Sequence, residues 1–318
     1  MSDFEVIQSL IQEKAEAEAR LRLIPYDGSP EVKENKSGKY LYIRKRVGSR
    51  LTSTYVDVYS DDLYQLLLRN ARESRELKKT IRRLTKKLVE LGYTSNELSP
   101  NILLNLDFAR ANMKTSIYDQ AILEGVSTTF PQTEDIIENG TVNGMTATDV
   151  QKILNLKHAW EFILDEDVIQ ADSDYYLLCH IAKLINEGFY SDGGRIRGVP
   201  VTIGGCSYIP PIPIESVVKE KIQDVLNSDM DAIDKAIYIC LYTMKTQVFI
   251  DGNKRASVIF ANHYMISNGL GLLIIPEKEV SEFKGLLIDY YDNDNTDTLC
   301  DFLKTRCWKR MDGNAFKR

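Results

Sequence analysis

Apolar positions recur at helical spacing along most of the chain, with short strand-like runs confined to its first fifth. Phe4, Ile7, Leu10 and Ile11 predict a helix from Ser2 to Leu21, and Pro25 with Asp27-Gly28 ends it. Ser29 to Gly38 is polar and reads as a loop. Lys39 to Val47 and Thr52 to Tyr59 are rich in aromatic and β-branched residues and predict a β-hairpin. Ser60-Asp61-Asp62 supplies an N-cap and first-turn acids for a helix that stops at Leu91-Gly92. Within it Leu77, Ile81, Leu84, Leu88 and Leu91 form a narrow apolar seam, suited to pairing with another helix of this chain or of a second copy.

From Pro100 onward the period is helical. Helices are predicted over Ile102–Glu124, Ala147–Leu164, Asp174–Glu187, Ile214–Leu226, Ala232–Lys245, Asn253–Asn268, Glu279–Tyr291 and Thr296–Cys307. Arg195–Tyr208 departs from that rule. Ile196, Val199, Val201 and Ile203 nearly alternate before Gly204-Gly205, which predicts a short hairpin inside a helical domain. The domains expected are a module at 1–95 and a helical domain at 96–318.

Composition narrows the class. A chain of 318 residues with 43% hydrophobic and 27% charged residues suits a globular protein. No apolar run approaches the ~18 residues of a membrane span, and acids stand near the start where a secretory signal carries cations. The expectation is a cytoplasmic protein with no membrane partner. The five cysteines are scattered without a CxxC pair, which argues against a disulfide framework or a zinc site. Charge is uneven: residues 1–91 carry a net +5, against −6 for the whole chain.

The stretch Gln247-Val-Phe-Ile-Asp-Gly-Asn-Lys-Arg255 carries the candidate chemistry. A helix ends near Lys245, another begins near Asn253, and Gly252 lies in the tight loop between them. Such a helix start presents free amides and a positive dipole end. Lys254 and Arg255 add cations where the dipole disfavours them, and a polyphosphate would resolve the conflict. Asp251 is suited to a magnesium ion bridging phosphates. On the residues alone, an ordinary Asp-Gly turn at a helix start is an equal alternative.

The stretch resembles the Fic (filamentation induced by cAMP) motif, His-x-Phe-x-Asp/Glu-Gly-Asn-Gly/Lys-Arg, with Phe249, Asp251, Gly252, Asn253, Lys254 and Arg255 in register. Arg195–Pro211 resembles that family's target-clamping flap, and Ile122-Leu-Glu-Gly125 its inhibitory helix, near 116–125. The resemblance implies a mainly α fold: a Fic-type helical bundle with a short β-hairpin flap, preceded by a small α/β-hairpin module. It implies transfer of AMP from ATP to a Ser, Thr or Tyr hydroxyl of a protein. Asp251 would bind Mg2+. Gly252, Asn253, Lys254 and Arg255 would hold the nucleotide, Glu124 would regulate, and the flap residues Ile196, Val199, Val201 and Ile203 would dock the target.

The departures from the motif matter as much. Gln247 stands where the family has its general-base His, and an amide does not titrate; losing such a base costs ~10²–10⁴ in rate. His158, His180 and His263 all lie outside the motif. Lys254 is shared with the death-on-curing branch, which transfers phosphate. Val258 replaces a second Arg, so Glu124 lacks its usual partner, with Lys254 or Arg255 as substitutes. Gln120 stands where the inhibitory motif has Ser or Thr. The alternatives to AMP transfer are therefore an inactive nucleotide-binding module and phosphotransfer of the death-on-curing type.

The N-terminal module holds Arg44-Lys45-Arg46 and a run of cations from Arg69 to Lys87, with Tyr40, Tyr42, Tyr55 and Tyr59 interleaved. A solvated face is the common explanation. A nucleic-acid backbone and the acidic remainder of the molecule are the other partners weighed.

Overall fold

The computed structural model describes residues 3–47, 50–93, 98–140 and 144–311. The chain divides into two compact units, Met1–Asn96 and Glu97–Arg318. Each is described by itself.

In the first unit, helix α1 (Asp3–Leu23) precedes three antiparallel strands, β1 (Ser29–Asn35), β2 (Gly38–Val47) and β3 (Arg50–Val58), in the order β1-β2-β3. The predicted hairpin is β2–β3. The predicted loop at Ser29–Gly38 is instead largely an edge strand: Ser29 to Asn35 pair with Arg44 to Gly38. Its polar composition hides it, because a mostly exposed edge strand needs little apolar alternation. Helix α2 (Asp61–Glu90) starts on Ser60, whose side chain accepts from the Leu63 amide. Leu41 and Ile43 of β2 bury against Leu67 of α2. Of the predicted seam, Leu84 and Leu88 are buried while Leu91 is exposed, and α2 packs along α1 of the same chain. Asp27 fixes the strand entry to α2. Burial alone would push its carboxyl up, but hydrogen bonds from Lys78, Ser74 and Lys45 hold it far below the usual range.

The second unit is helical: α3 (Pro100–Leu123), α4 (Phe130–Asn139), α5 (Ala147–Ile163), α6 (Glu166–Ile169), α7 (Tyr175–Ile185), α8 (Glu215–Asn227), α9 (Ala232–Thr246), α10 (Asn253–Ser267), α11 (Val280–Asn293) and α12 (Asp297–Phe302). A small ladder joins β4 (Leu272–Leu273) to β5 (Trp308–Lys309). The helix predicted through Cys307 ends its last turn, Leu303–Cys307, with π geometry. Two helices escaped the periodicity. α6 is a single turn, and α4 is short and polar; its capping box on Thr129 and Gln132 and its left-handed Gly140 were the available signals.

Helix α10 is the axis of this unit. It is buried on nearly every side, packing against α9, α7, α3 and α5. A helix buried on nearly every side belongs in the middle of a domain. Asn262 and His263 are satisfied within that core. Asn262 donates to the carbonyls of Val258 and Leu273 and accepts from the Leu273 amide. His263 bridges the Ser173 hydroxyl at 2.8 Å and the Val168 carbonyl at 2.9 Å. No helix among the described residues is long and apolar enough to cross a membrane.

Burial lowers the His263 imidazole to about 4. The unfolded chain binds that proton near pH 6.5, so the neutral folded form is fully favoured above 6.5 and loses stability as pH falls toward 4. We expect urea unfolding to show a loss of roughly 2 kcal/mol between pH 7.5 and pH 5 from this residue. A His263→Asn variant, less stable at pH 7.5, should lack that share of the pH dependence. An unchanged pH slope in the variant would refute the assignment.

Candidate nucleotide-binding site

The loop between α9 and α10 is built on two left-handed residues. Helix α9 ends on Gln247 at φ 49°, ψ 60°, a conformation costly for a residue with a Cβ. Three contacts hold it there. Its side-chain Nε2 donates to the Met244 carbonyl at 2.7 Å, and its Oε1 accepts from Asn253 Nδ2 at 3.1 Å. Its own carbonyl accepts from Arg197 Nε at 2.5 Å. Phe249 then turns into the core, 1% exposed. Asn253 closes the loop, accepting from the Phe249 amide at 2.9 Å and donating to the Phe249 carbonyl at 2.8 Å.

Gly252 begins α10 at φ 74° with no side-chain cap. The first-turn amides are thus left for a ligand. A Cβ on Gly252 would come within 2.8 Å of Ile185 Cγ2, so both the backbone angle and the space require glycine. Asn186, at the end of α7, fastens the turn by donating to the Asp251 carbonyl at 3.0 Å.

Arg255 lies one turn into α10 and is 2% exposed. Its Nη2 meets Asp251 Oδ2 at 3.2 Å, and its Nε faces Glu124 Oε2 at 3.4 Å. Lys254 Nζ stands 3.6 Å from Glu124 Oε1. Glu124 caps α3, so α3 delivers one carboxylate to both cations of the loop. The delivery is fixed from behind by Gln120, which donates to the Arg255 carbonyl at 2.8 Å and accepts from Trp160 Nε1 at 3.1 Å. Glu124 Oε1 and Arg255 Nε are buried close to opposite charges, yet neither has a hydrogen-bond partner in the protein. Val258, where a second Arg was considered, is 1% exposed and belongs to the same core cluster as Leu123.

The loop borders a cleft of about 440 Å³, within the range of small-molecule sites, though Arg255 itself is not among the residues that line it. Glu124, Gln247, Asp251, Gly252, Asn253 and Lys254 form one wall; Val201, Thr202 and Ile203 form another. Lys284 and Tyr291 of α11 complete it. Ile196 and Val199 instead line a second, smaller cleft beyond Ile250.

The segment 195–208 corrects the predicted hairpin. It turns at Gly204-Gly205 but carries no strand. Its order comes from Arg197, which sequence reasoning missed. The guanidinium donates to the carbonyls of Val199 at 2.7 Å and Pro211 at 2.6 Å, and more weakly to Pro210 and Thr246. The Arg197 amide also donates to the Val248 carbonyl at 2.9 Å. Asp292 accepts from the amides of Ser207 and Tyr208 and pins the far end. The signal available was an arginine between Ile196 and Gly198, beside a Pro-Pro pair with no amides to offer. The cysteines are all free, and none of the three histidines lines the cleft.

The Gly252→Ala variant tests the loop. We expect it to lower stability by about 1–3 kcal/mol in thermal melts and to abolish any ATP-induced rise in melting temperature. A variant as stable and as ATP-responsive as the parent would contradict the requirement for glycine.

Comparison with known proteins agrees with this geometry. Residues 172–265 match the Fic/DOC family model, and residues 4–65 match a domain of unknown function, DUF6788. Curated relatives include the protein adenylyltransferase Fic of Drosophila willistoni, 26% identical over 174 residues, covering 52% of this chain and 34% of that protein. The same enzyme of Drosophila grimshawi is 24% identical over 208 residues, covering 62% and 43%. The chain thus spans less than half the length of either relative. Among solved structures, Fic-1 (residues 134–508) of C. elegans is similar with a TM-score of 0.51 at 19% identity, covering 77% of each chain. A Fic family protein of Desulfovibrio desulfuricans G20 has a TM-score of 0.51 at 14% identity, covering 66% of this chain and 73% of that one. At residues 172–265, around the loop that joins α9 to α10, this chain carries a domain of the Fic/DOC family.

Proposed function

We propose that the chain is a Fic-type protein adenylyltransferase, transferring AMP from ATP to a Ser, Thr or Tyr hydroxyl of a protein, slowed by Gln247. The observation that carries this reading is the in-register loop Phe249–Arg255: the uncapped helix start and Lys254 open on one cleft, and the buried Arg255 stands behind its lining carboxylates Asp251 and Glu124. The triphosphate would lie over the first amides of α10, with Lys254 and Arg255 supplying charge. In the transfer, the target oxygen forms a bond to the α-phosphorus, and pyrophosphate leaves with the electrons of the α–β bridging bond.

Mg2+ fits as a ligand shared between protein and phosphates. Asp251 is a half-exposed carboxylate at the cleft, with one oxygen on Arg255. No cluster of three or more ligating side chains is present among the described residues. A metal held by one carboxylate and the substrate is the usual magnesium arrangement. When bound it would neutralise phosphate charge; the chain's own residues orient the nucleotide and exclude water.

Proton removal is the weak step. Gln247 is a non-titrating amide whose side chain is already committed to Met244 and Asn253. The hydroxyl proton must therefore go to solvent or to substrate. The same commitment favours a second reading, a nucleotide-responsive binding module with no turnover. Glu124 restrains the site in either case, since it occupies the cations that phosphates would use. The extended segment 196–203 would receive the target by its free edge. Phosphotransfer rests on Lys254 alone.

ATP labelled at the α- or the γ-phosphate separates the readings. With protein targets present, we expect label from α only, and a gain of roughly 10²-fold to 10⁴-fold in Gln247→His. Label from γ only would replace AMP transfer with phosphotransfer. Binding without transfer in both proteins would leave the binding module. For Glu124→Gly we expect tighter ATP binding by calorimetry, by ~10-fold or more, since a buried carboxylate no longer competes. Absence of ATP binding in that variant would end the nucleotide-site reading altogether.

A further inference from the structure

The three-stranded sheet of the first unit has two faces, and α2 covers only one. Leu41 and Ile43 point to that side and meet Leu67. Strand alternation sends Tyr40, Tyr42, Arg44 and Arg46 of β2 to the other. The register places Lys33 of β1 opposite Tyr40 and Tyr55 of β3 opposite Tyr42. The side chains agree with that placement. Tyr55 lies 5.6 Å from Tyr42 and 6.3 Å from Tyr40, ring centre to ring centre. Lys33 Nζ sits 4.2 Å above the Tyr42 ring and donates to Ser53 of β3.

This open face combines aromatic rings with uncommitted positive charge. Tyr55 is 50% exposed. Arg44 and Arg46 are exposed and make no ion pair or hydrogen bond among the described residues. Glu31, opposite Tyr42, is the carboxylate the register places on this face, and it pairs with Lys33 at 3.7 Å, which leaves the charges of Arg44 and Arg46 unbalanced. The face therefore presents net positive charge along with its rings.

We propose that this face binds single-stranded nucleic acid, with bases stacked on Tyr42 and Tyr55 and the phosphate backbone held by Arg44 and Arg46. Three features favour that occupant over a polypeptide. Clustered aromatic rings on an open sheet, Tyr55 standing at 51° to Tyr40 and 75° to Tyr42, offer separately oriented faces on which any base can stack. The cations flank the rings, as a phosphate backbone running beside stacked bases requires. The register places two exposed aliphatic side chains on the face, Leu51 opposite Arg46 and Val58 opposite Tyr40, toward its two ends, so the centre between them is aromatic and cationic. A dry protein interface would need an apolar centre. The inference concerns the first unit alone and stands apart from the nucleotide site.

The test is fluorescence anisotropy with the full chain and a labelled oligothymidine of about 15 nucleotides. Excess ATP with Mg2+ is present so that the other unit's cleft does not capture the probe. We expect saturable binding that weakens roughly 5-fold or more in Tyr55→Ala and is kept in Tyr55→Phe. In the pair Arg44→Gln, Arg46→Gln, the slope of log affinity against log salt should flatten by about 0.7 per charge removed. Circular dichroism establishes that Tyr55→Ala is folded. Should it unfold, quenching of the parent's tyrosine fluorescence by the oligonucleotide, lost in the arginine pair, takes its place. No binding, binding unchanged in both Tyr55→Ala and the arginine pair, or equal binding of an oligoglutamate of the same charge would overturn the proposal. The last outcome would assign the face to an acidic polypeptide.

Discussion

A guanidinium with almost no access to solvent must be neutralised by its surroundings, and Arg255 sets that demand at the start of the most buried helix in the domain. Two carboxylates answer it from different directions: Asp251 from the loop before α10, and Glu124 from the end of α3. Removing either would leave charge stranded in low dielectric, a larger penalty than the contact itself contributes. The demand fixes where α3 must end and how the loop must turn. Gln120 and Trp160 hold α3 at that height, and Asn253 and Asn186 hold the turn. The cleft follows from these placements.

The ion pairs around Arg255 are close in distance but poorly aligned. Glu124 Oε1 and Arg255 Nε lie within reach of opposite charge without completing a hydrogen bond. A fully satisfied network would be rigid and closed to a competitor. One with unfilled directional bonds accepts an anion with better geometry at low cost. That is the physical sense in which a single glutamate serves two cations here without sealing them, and Val258, buried beside Leu123, contributes no third.

How much of this was legible in sequence depended on how local the cause was. The long helices were plain because their period is strong. The motif loop was plain because its residue types answer to backbone geometry: glycine where φ is positive, Phe249 where the loop must be anchored. Strand β1 was missed because pairing with β2, a non-local event, creates it from polar residues. Helix α4 was missed for a milder reason, since its capping signals were present and its apolar face amounts to Ile136 and Ile137. The hairpin expected at 195–208 failed because its apolar positions line two clefts in succession, Ile196 and Val199 one and Val201 and Ile203 the other, without a partner strand. Nothing local announces that Arg197 folds back on carbonyls some fifty residues further along the chain.

That arginine also limits how the segment can travel. Its guanidinium serves five carbonyls: Val199, Pro210, Pro211, Thr246 and Gln247. Peeling the segment's base away from α9 would leave all of them, and the cation, short of partners at once. The two prolines have no amide with which to form a replacement turn. Motion of the segment is consequently confined to the arch between Val199 and Ser207, where Asp292 holds the chain again, while its footing travels as one piece with Gln247.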